Sequence, residues 1–194
     1  MGYLVNIYVV DTNIFSRALK DLSLDVFNDI YLSWSKGMKN GTIISVDEVY
    51  HELDRLWGAE VTEKKDKKKD RRTKEGMWLK QHKNAFQSMT DEEGKIVAEI
   101  FKNKKFREGV KEKSLRVGTP EADAILVAKA KYVDGIIVTD ESDNKPNADK
   151  IPNICVAFEV PFISRNDFYR VLRNISNDKP ELENVIIKRS LQII

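Results

Sequence analysis

The run Tyr3 to Val10 (Tyr-Leu-Val-Asn-Ile-Tyr-Val-Val) constrains the fold more than any other feature of the chain. It is rich in β-branched and aromatic side chains and has little polar alternation, so it reads as a strand buried on both faces. Such a strand needs helices above and below its sheet. Thr42 to Val46, introduced by Asn40-Gly41, is a second apolar run read as a strand, Gly135 to Thr139 a third and Ile154 to Phe158 a fourth. Between them, Ile14 to Trp34 sets Phe15, Ala18, Leu19, Leu22, Val26, Phe27, Ile30 and Trp34 at three- and four-residue intervals, and Ala122 to Ala130 is built of strong helix formers. Strands alternating with helices predict a three-layer α/β/α fold around a mostly parallel sheet with right-handed crossovers.

The middle third reads differently. Residues 63–75 carry eight basic and four acidic side chains and no apolar one, and Lys102 to Lys113 is a second basic stretch. Met77-Trp78-Leu79 and Ile96, Val97, Ile100 and Phe101 keep helical spacing between them. Residues 60–115 are therefore read as a basic helical insertion within a single domain, 1–172. Asp178-Lys179-Pro180 breaks the pattern after it, and 173–194 is read as a tail or an edge strand. With 41% hydrophobic and 33% charged residues, the 194-residue chain can bury a sizeable core under a highly charged surface. The net charge of +2 conceals the segregation, so position informs more than the sum.

Several classes are disfavoured. A lone cysteine, Cys155, allows no intramolecular disulfide, and its apolar setting reads as a buried strand position, where a thiol behaves as a small hydrophobe. His51 and His82 lack metal-ligand spacing. Leu4 to Val10 is too short and lacks the basic leader of a signal peptide, Asn6 stands where myristoylation requires Ser or Thr, and no apolar run approaches a membrane span. A cytoplasmic protein is the expectation.

Carboxylates interrupt the apolar elements at informative places. Asp11 ends the first strand and is followed by Thr12-Asn13, and Thr139-Asp140-Glu141 closes the Gly-Ile-Ile-Val strand, with Asp143 two residues on. In a parallel sheet all carboxyl ends share one edge, where ligands collect. Glu52 follows the second strand on a helix, with Glu48 one turn before it. Asp123 opens the Ala-rich helix, where it also suits a helix N-terminus. Acids converging on one crevice repel, hard cations relieve that repulsion, and oxygen-only ligation suits Mg²⁺ or Mn²⁺.

Tyr8-Val9-Val10-Asp11-Thr12-Asn13 resembles the opening motif of the PIN superfamily. Ile44-Ser45-Val46 through Glu52-Leu53 is similar to its second motif. Glu121-Ala122-Asp123 leading into the Ala-rich helix resembles the third, and Ile137-Val138-Thr139-Asp140-Glu141 the fourth. Order and spacing agree over nearly residues 3–172, and Ile151-Pro152 to Pro161 with Asn166-Asp167-Phe168 resembles a VapC-related bacterial branch.

The resemblance implies a PIN-like fold and metal-dependent RNA hydrolysis. Asp11, Glu52 (or Glu48), Asp123 and Glu141 (or Asp140 or Asp143) would hold one or two Mg²⁺ or Mn²⁺ ions that activate water. Asn13 and Thr139 would hydrogen-bond the water or a ligand carboxylate. Lys67, Lys68, Arg71 and Arg72 are candidate RNA phosphate contacts, against the alternative of a solvated face with interleaved acids. Trp57 and Trp78 are candidates for base stacking, against helix docking. The toxin branch further implies a cognate antitoxin and a possible homodimer. An inactive PIN scaffold that binds nucleic acid or protein is the alternative. An Asp-nucleophile phosphotransferase needs a second Asp where Asn13 stands.

Overall fold

The computed structural model describes residues 6–58, 73–107, 122–142, 150–176 and 187–188. Within the first apolar run, β1 (Tyr8–Val10) has all three residues buried, as a strand without polar alternation requires. It sits at the centre of one five-stranded sheet with β2 (Ile43–Val46), β3 (Phe86–Gln87), β4 (Ile136–Val138) and β5 (Phe162–Ile163). The order is β3-β2-β1-β4-β5 and all the pairs are parallel. Gly41 takes a positive φ of 79° just before β2, a conformation that costs glycine little.

Helices cover both faces. On one side α1 (Thr12–Asp21) packs on α3 (Asp47–Trp57), α3 on α4 (Lys74–Gln81), and α2 (Asn28–Lys39) on α8 (Arg165–Ser176). On the other, α6 (Ala122–Tyr132) packs between α5 (Asp91–Lys102) and α7 (Ile151–Ala157) and touches β1, β2 and β4. Right-handed crossovers in this strand order place the two groups on opposite faces, giving the three-layer α/β/α architecture. Ala124 to Ala130 are all buried, so α6 is a core helix and its sequence is apolar almost all round.

The helical spacing of 14–34 resolves into two helices. Leu22 caps the first through its N–H to Ala18, and the Tyr31 hydroxyl of the second reaches the carbonyls of Ala18 and Leu22 at 2.9 and 2.8 Å. The end of α1 is thus satisfied by its own successor.

One expected strand is a helix. Ile154 to Phe158 falls largely in α7, which carries Pro152 in its first turn, where the missing N–H costs nothing and the fixed φ favours a helix start. A short apolar run cannot separate a buried strand from a buried helix by periodicity alone. The sheet position goes instead to β5, and Cys155 is buried on the helix.

The stretch 60–115 is helical over α4 and α5, and it also supplies β3, the edge strand beside β2. Thr90 and Glu93 close a capping box at the start of α5. At the other end of the chain α8 runs on to Ser176, and Lys188 forms an antiparallel bridge with Phe162. Among the described residues, no helix is long and apolar enough to cross a membrane.

Candidate active site

The chain moves from β1 outward to β2 and β3, then returns to place β4 on the other side of β1. The strand order therefore reverses between β1 and β4, and the crevice beyond their carboxyl ends is the ligand-collecting position of an open α/β sheet. Val10 pairs with Val138, and the Asp11 N–H donates to the Val138 carbonyl at 3.1 Å. Asp11 and Thr139 consequently leave their strands side by side.

Asp11 is only 6% exposed. The Thr139 hydroxyl donates to its Oδ2 at 2.9 Å, and the Asn13 side-chain amide donates to the same oxygen. Asn13 turns its own Oδ1 to the Asp140 N–H at 3.3 Å, so one side chain ties the end of β1 to the end of β4. The Glu141 N–H donates to Thr139 Oγ1 at 3.2 Å, folding the next acid back over the strand end.

Asp123 reaches this edge because α6 precedes β4 and runs antiparallel to it, which brings its first turn to the carboxyl end of the sheet. Burial, then the Asp123 charge and to a smaller degree Glu141, push the Asp11 carboxyl up to about 8. The hydrogen bonds from Thr139 and the Thr12 N–H oppose that rise. Asp123 on α6 and Glu141 just after β4 thus both bear on Asp11 at the end of β1.

Glu52 joins through Thr12, whose hydroxyl donates to Glu52 Oε2 at 2.6 Å. Glu48, one turn earlier on α3, has a buried Oε2 with no hydrogen-bond partner. Asp140 behaves differently from Glu141: its Oδ2 lies 3.2 Å from Arg165 Nε and 3.6 Å from Arg17 Nε. Glu141 instead accepts the Ile151 N–H at 2.9 Å and holds the start of α7.

The donor set is oxygen throughout, which fits a hard cation, and the orphaned Glu48 oxygen and the mutual repulsion around Asp11 fit it as well. Among the described residues no three acidic, imidazole or thiol groups already stand as a closed ligand sphere. Binding would therefore require side chains such as Glu52 or Glu141 to turn from their present partners.

Other expected residues lie elsewhere. Lys67, Lys68, Arg71, Arg72, Glu121 and Asp143 are outside the described residues. Trp78 is buried edge-on against Tyr31 and Trp34, and Trp57 is half-buried against the core, so both are packing residues. His82 is buried with Nδ1 2.8 Å from the Trp78 carbonyl, while His51 is exposed on α3. Sequence reasoning missed Thr12 as the partner of Glu52, and Arg17 and Arg165 as partners of Asp140. Arg17 follows Asn13 by one helical turn, a local cue; nothing local marks Arg165.

No curated protein and no solved structure matches the chain. A family model described as a domain of unknown function, DUF4411, matches residues 8–174, from β1 almost to the end of α8. Every carboxylate of the crevice lies inside that span, and the chain belongs to the DUF4411 family.

Proposed function

We propose that this chain is a metal-dependent endoribonuclease on a PIN-like scaffold, hydrolysing RNA phosphodiester bonds at the carboxyl edge of its sheet. The reading rests on the convergence of Asp11, Asp123 and Glu141 at the β1/β4 reversal, where among the described residues no basic side chain pairs with Asp11. Asp11, Asp123 and Glu141 would hold Mg²⁺ or Mn²⁺, with Glu52 or Glu48 completing the set. A bound ion of this kind lowers the pKa of its water and offsets charge on the leaving oxygen. Thr139 and Asn13 keep Asp11 Oδ2 in place, as groups supporting a metal ligand do. The role of toxin, with a cognate antitoxin covering the crevice and a homodimer, belongs to the same proposal and is supported by the motif resemblance.

The test is Mn²⁺-dependent cleavage of single-stranded RNA by wild type and Asp11→Asn. The expected loss in the variant is on the order of a hundredfold or more, since even groups that merely support a metal ligand are worth about 10–100-fold. Equal cleavage by the two proteins would sink the site. The second reading, a PIN scaffold that binds without cutting, is favoured by the bonds that already occupy Glu52 and Glu141. RNA binding by the wild type without metal-dependent cleavage would select it.

A further inference from the structure

Asp140 sits between two residues of the carboxylate crevice and yet faces two cations. Its N–H is held by Asn13, which also holds Asp11. Its Oδ2 meets Arg165 on α8 and Arg17 on α1, through Nε in both cases. The arginines come from helices that flank the carboxyl ends of β5 and β1, the same edge as the acids. Two guanidiniums thus share one carboxylate. A guanidinium offers five N–H donors in a planar fork, and these Nε contacts are ion pairs in which the buried Arg165 Nε completes no hydrogen bond. Arg17 is 55% exposed at its side chain and Arg165 is 25% exposed. Both can therefore take a second anion without releasing Asp140.

The electrostatics assign that anion a purpose. A polyanionic strand approaching a crevice lined by acidic side chains is repelled, and a cationic grip beside the crevice offsets the repulsion. Planar guanidiniums pair with phosphate oxygens in bidentate fashion, which ammonium groups do not. Asp140 meanwhile gives both guanidiniums one shared counter-charge at this edge.

We propose that Arg17 and Arg165, held by Asp140, form a phosphate clamp that seats a single-stranded RNA backbone beside the carboxylate crevice. The proposal rests on the ribonuclease reading and makes Asp140 a positioning residue, not a ligand.

The experiment measures binding of a fluorescein-labelled single-stranded RNA in EDTA, where no metal-dependent cutting occurs, across a salt series. Wild type is compared with Arg17→Ala, Arg165→Ala and Arg17→Lys, with Arg170→Ala as control because Arg170 pairs with Asp167 further along α8. Each alanine variant of the clamp should weaken binding about five- to tenfold and reduce the salt slope by about 0.7, the value of one lost phosphate contact on a single strand. Arg17→Lys should recover part of the affinity, and Arg170→Ala should change little. Arg17 is mostly exposed, so its variant should fold, and thermal melting verifies that. Cleavage by the wild type, with unchanged affinity and slope in folded Arg17→Ala, overturns the clamp and leaves the ribonuclease reading standing. Wild type that neither binds nor cuts RNA overturns both.

Discussion

Two buried carboxylates on either side of α6 are treated in opposite ways. Glu93 is 1% exposed and faces Lys129 Nζ at 2.8 Å, itself 2% exposed. Lys129 also reaches Gln87 Oε1 at 3.4 Å and the Ser88 carbonyl at 3.3 Å, while Glu93 Oε2 accepts the Thr90 N–H at 3.0 Å. Asp11 is buried as well, but the charges acting on it are Asp123 and Glu141. One helix carries Asp123 in its first turn and Lys129 in its last. The compensated pair joins α5, β3 and α6 and serves the fold. The cluster around Asp11 sets like charges against one another, which works against the fold.

Breaking the compensated end should have the largest effect on stability. Glu93→Gln leaves the Lys129 ammonium buried without its counter-charge, which typically costs about 3–5 kcal/mol. For a chain of this size that lowers the melting temperature by roughly 10 °C. Glu93→Gln combined with Lys129→Met should recover most of the loss, because a buried pair replaced by apolar groups is often neutral. Thermal denaturation of the three proteins checks this. A Glu93→Gln protein that melts with the wild type would remove the contrast at its root.

The same kind of substitution should act in the opposite direction at Asp11. The folded-state value near 8 lies above the ordinary value of 3.8, so between them the native state holds a proton that the unfolded chain has released. Stability from this group is fully present below about pH 4 and is lost as pH rises to about 8. Asp11→Asn keeps an acceptor for Thr139 and Asn13 but carries no charge to lose. In chelator, the variant should be more stable than wild type at pH 8 by about 1–2 kcal/mol, within the usual range for relief of functional strain. The gap should close toward pH 4, and Mn²⁺ should raise the melting temperature of wild type only. A gap that widens as pH falls would reverse the assignment of Asp11 as the repelled group.

How much of this could be read from the sequence follows the same division. Asp11 and Thr139 were visible because each ends an apolar run, and parallel pairing of those runs fixes their proximity without further information. Asp123 was visible because an acid heads an Ala-rich helix. The strand assigned to Ile154–Phe158 failed because its local residues suit either structure. Pro152 and the cap from Glu141, ten residues away, decide for the helix. β3 and β5, at two residues each, are too short for any periodicity and exist only as partners of β2 and β4. The Thr90-Asp91-Glu92-Glu93 capping box was legible and would have placed the start of α5. The pairing of Glu93 with Lys129 was not, since it joins helices far apart in sequence. Arg17 and Arg165 share that property, which is why the charge around Asp140 emerges only from tertiary packing.

The smallest expected effect separates the candidates on α3. Thr90 fixes Glu93 in the compensated pair, and Thr12 plays the matching part for Glu52 at the crevice, with its hydroxyl 2.6 Å from Oε2. Thr12→Val keeps the shape and removes the donor. Loss of one hydrogen bond of this kind should cost about 1 kcal/mol in thermal unfolding. If Thr12 holds Glu52 in place as a ligand, the variant should also bind Mn²⁺ about tenfold more weakly, the lower end of what a supporting group contributes. Titration calorimetry with Mn²⁺ measures both Thr12→Val and Glu48→Gln. Weakening in Glu48→Gln with no change in Thr12→Val would transfer the third position from Glu52 to Glu48, whose buried oxygen already lacks a partner. The acid cluster at the β1/β4 reversal would then be completed from the first turn of α3, one turn nearer the end of β2.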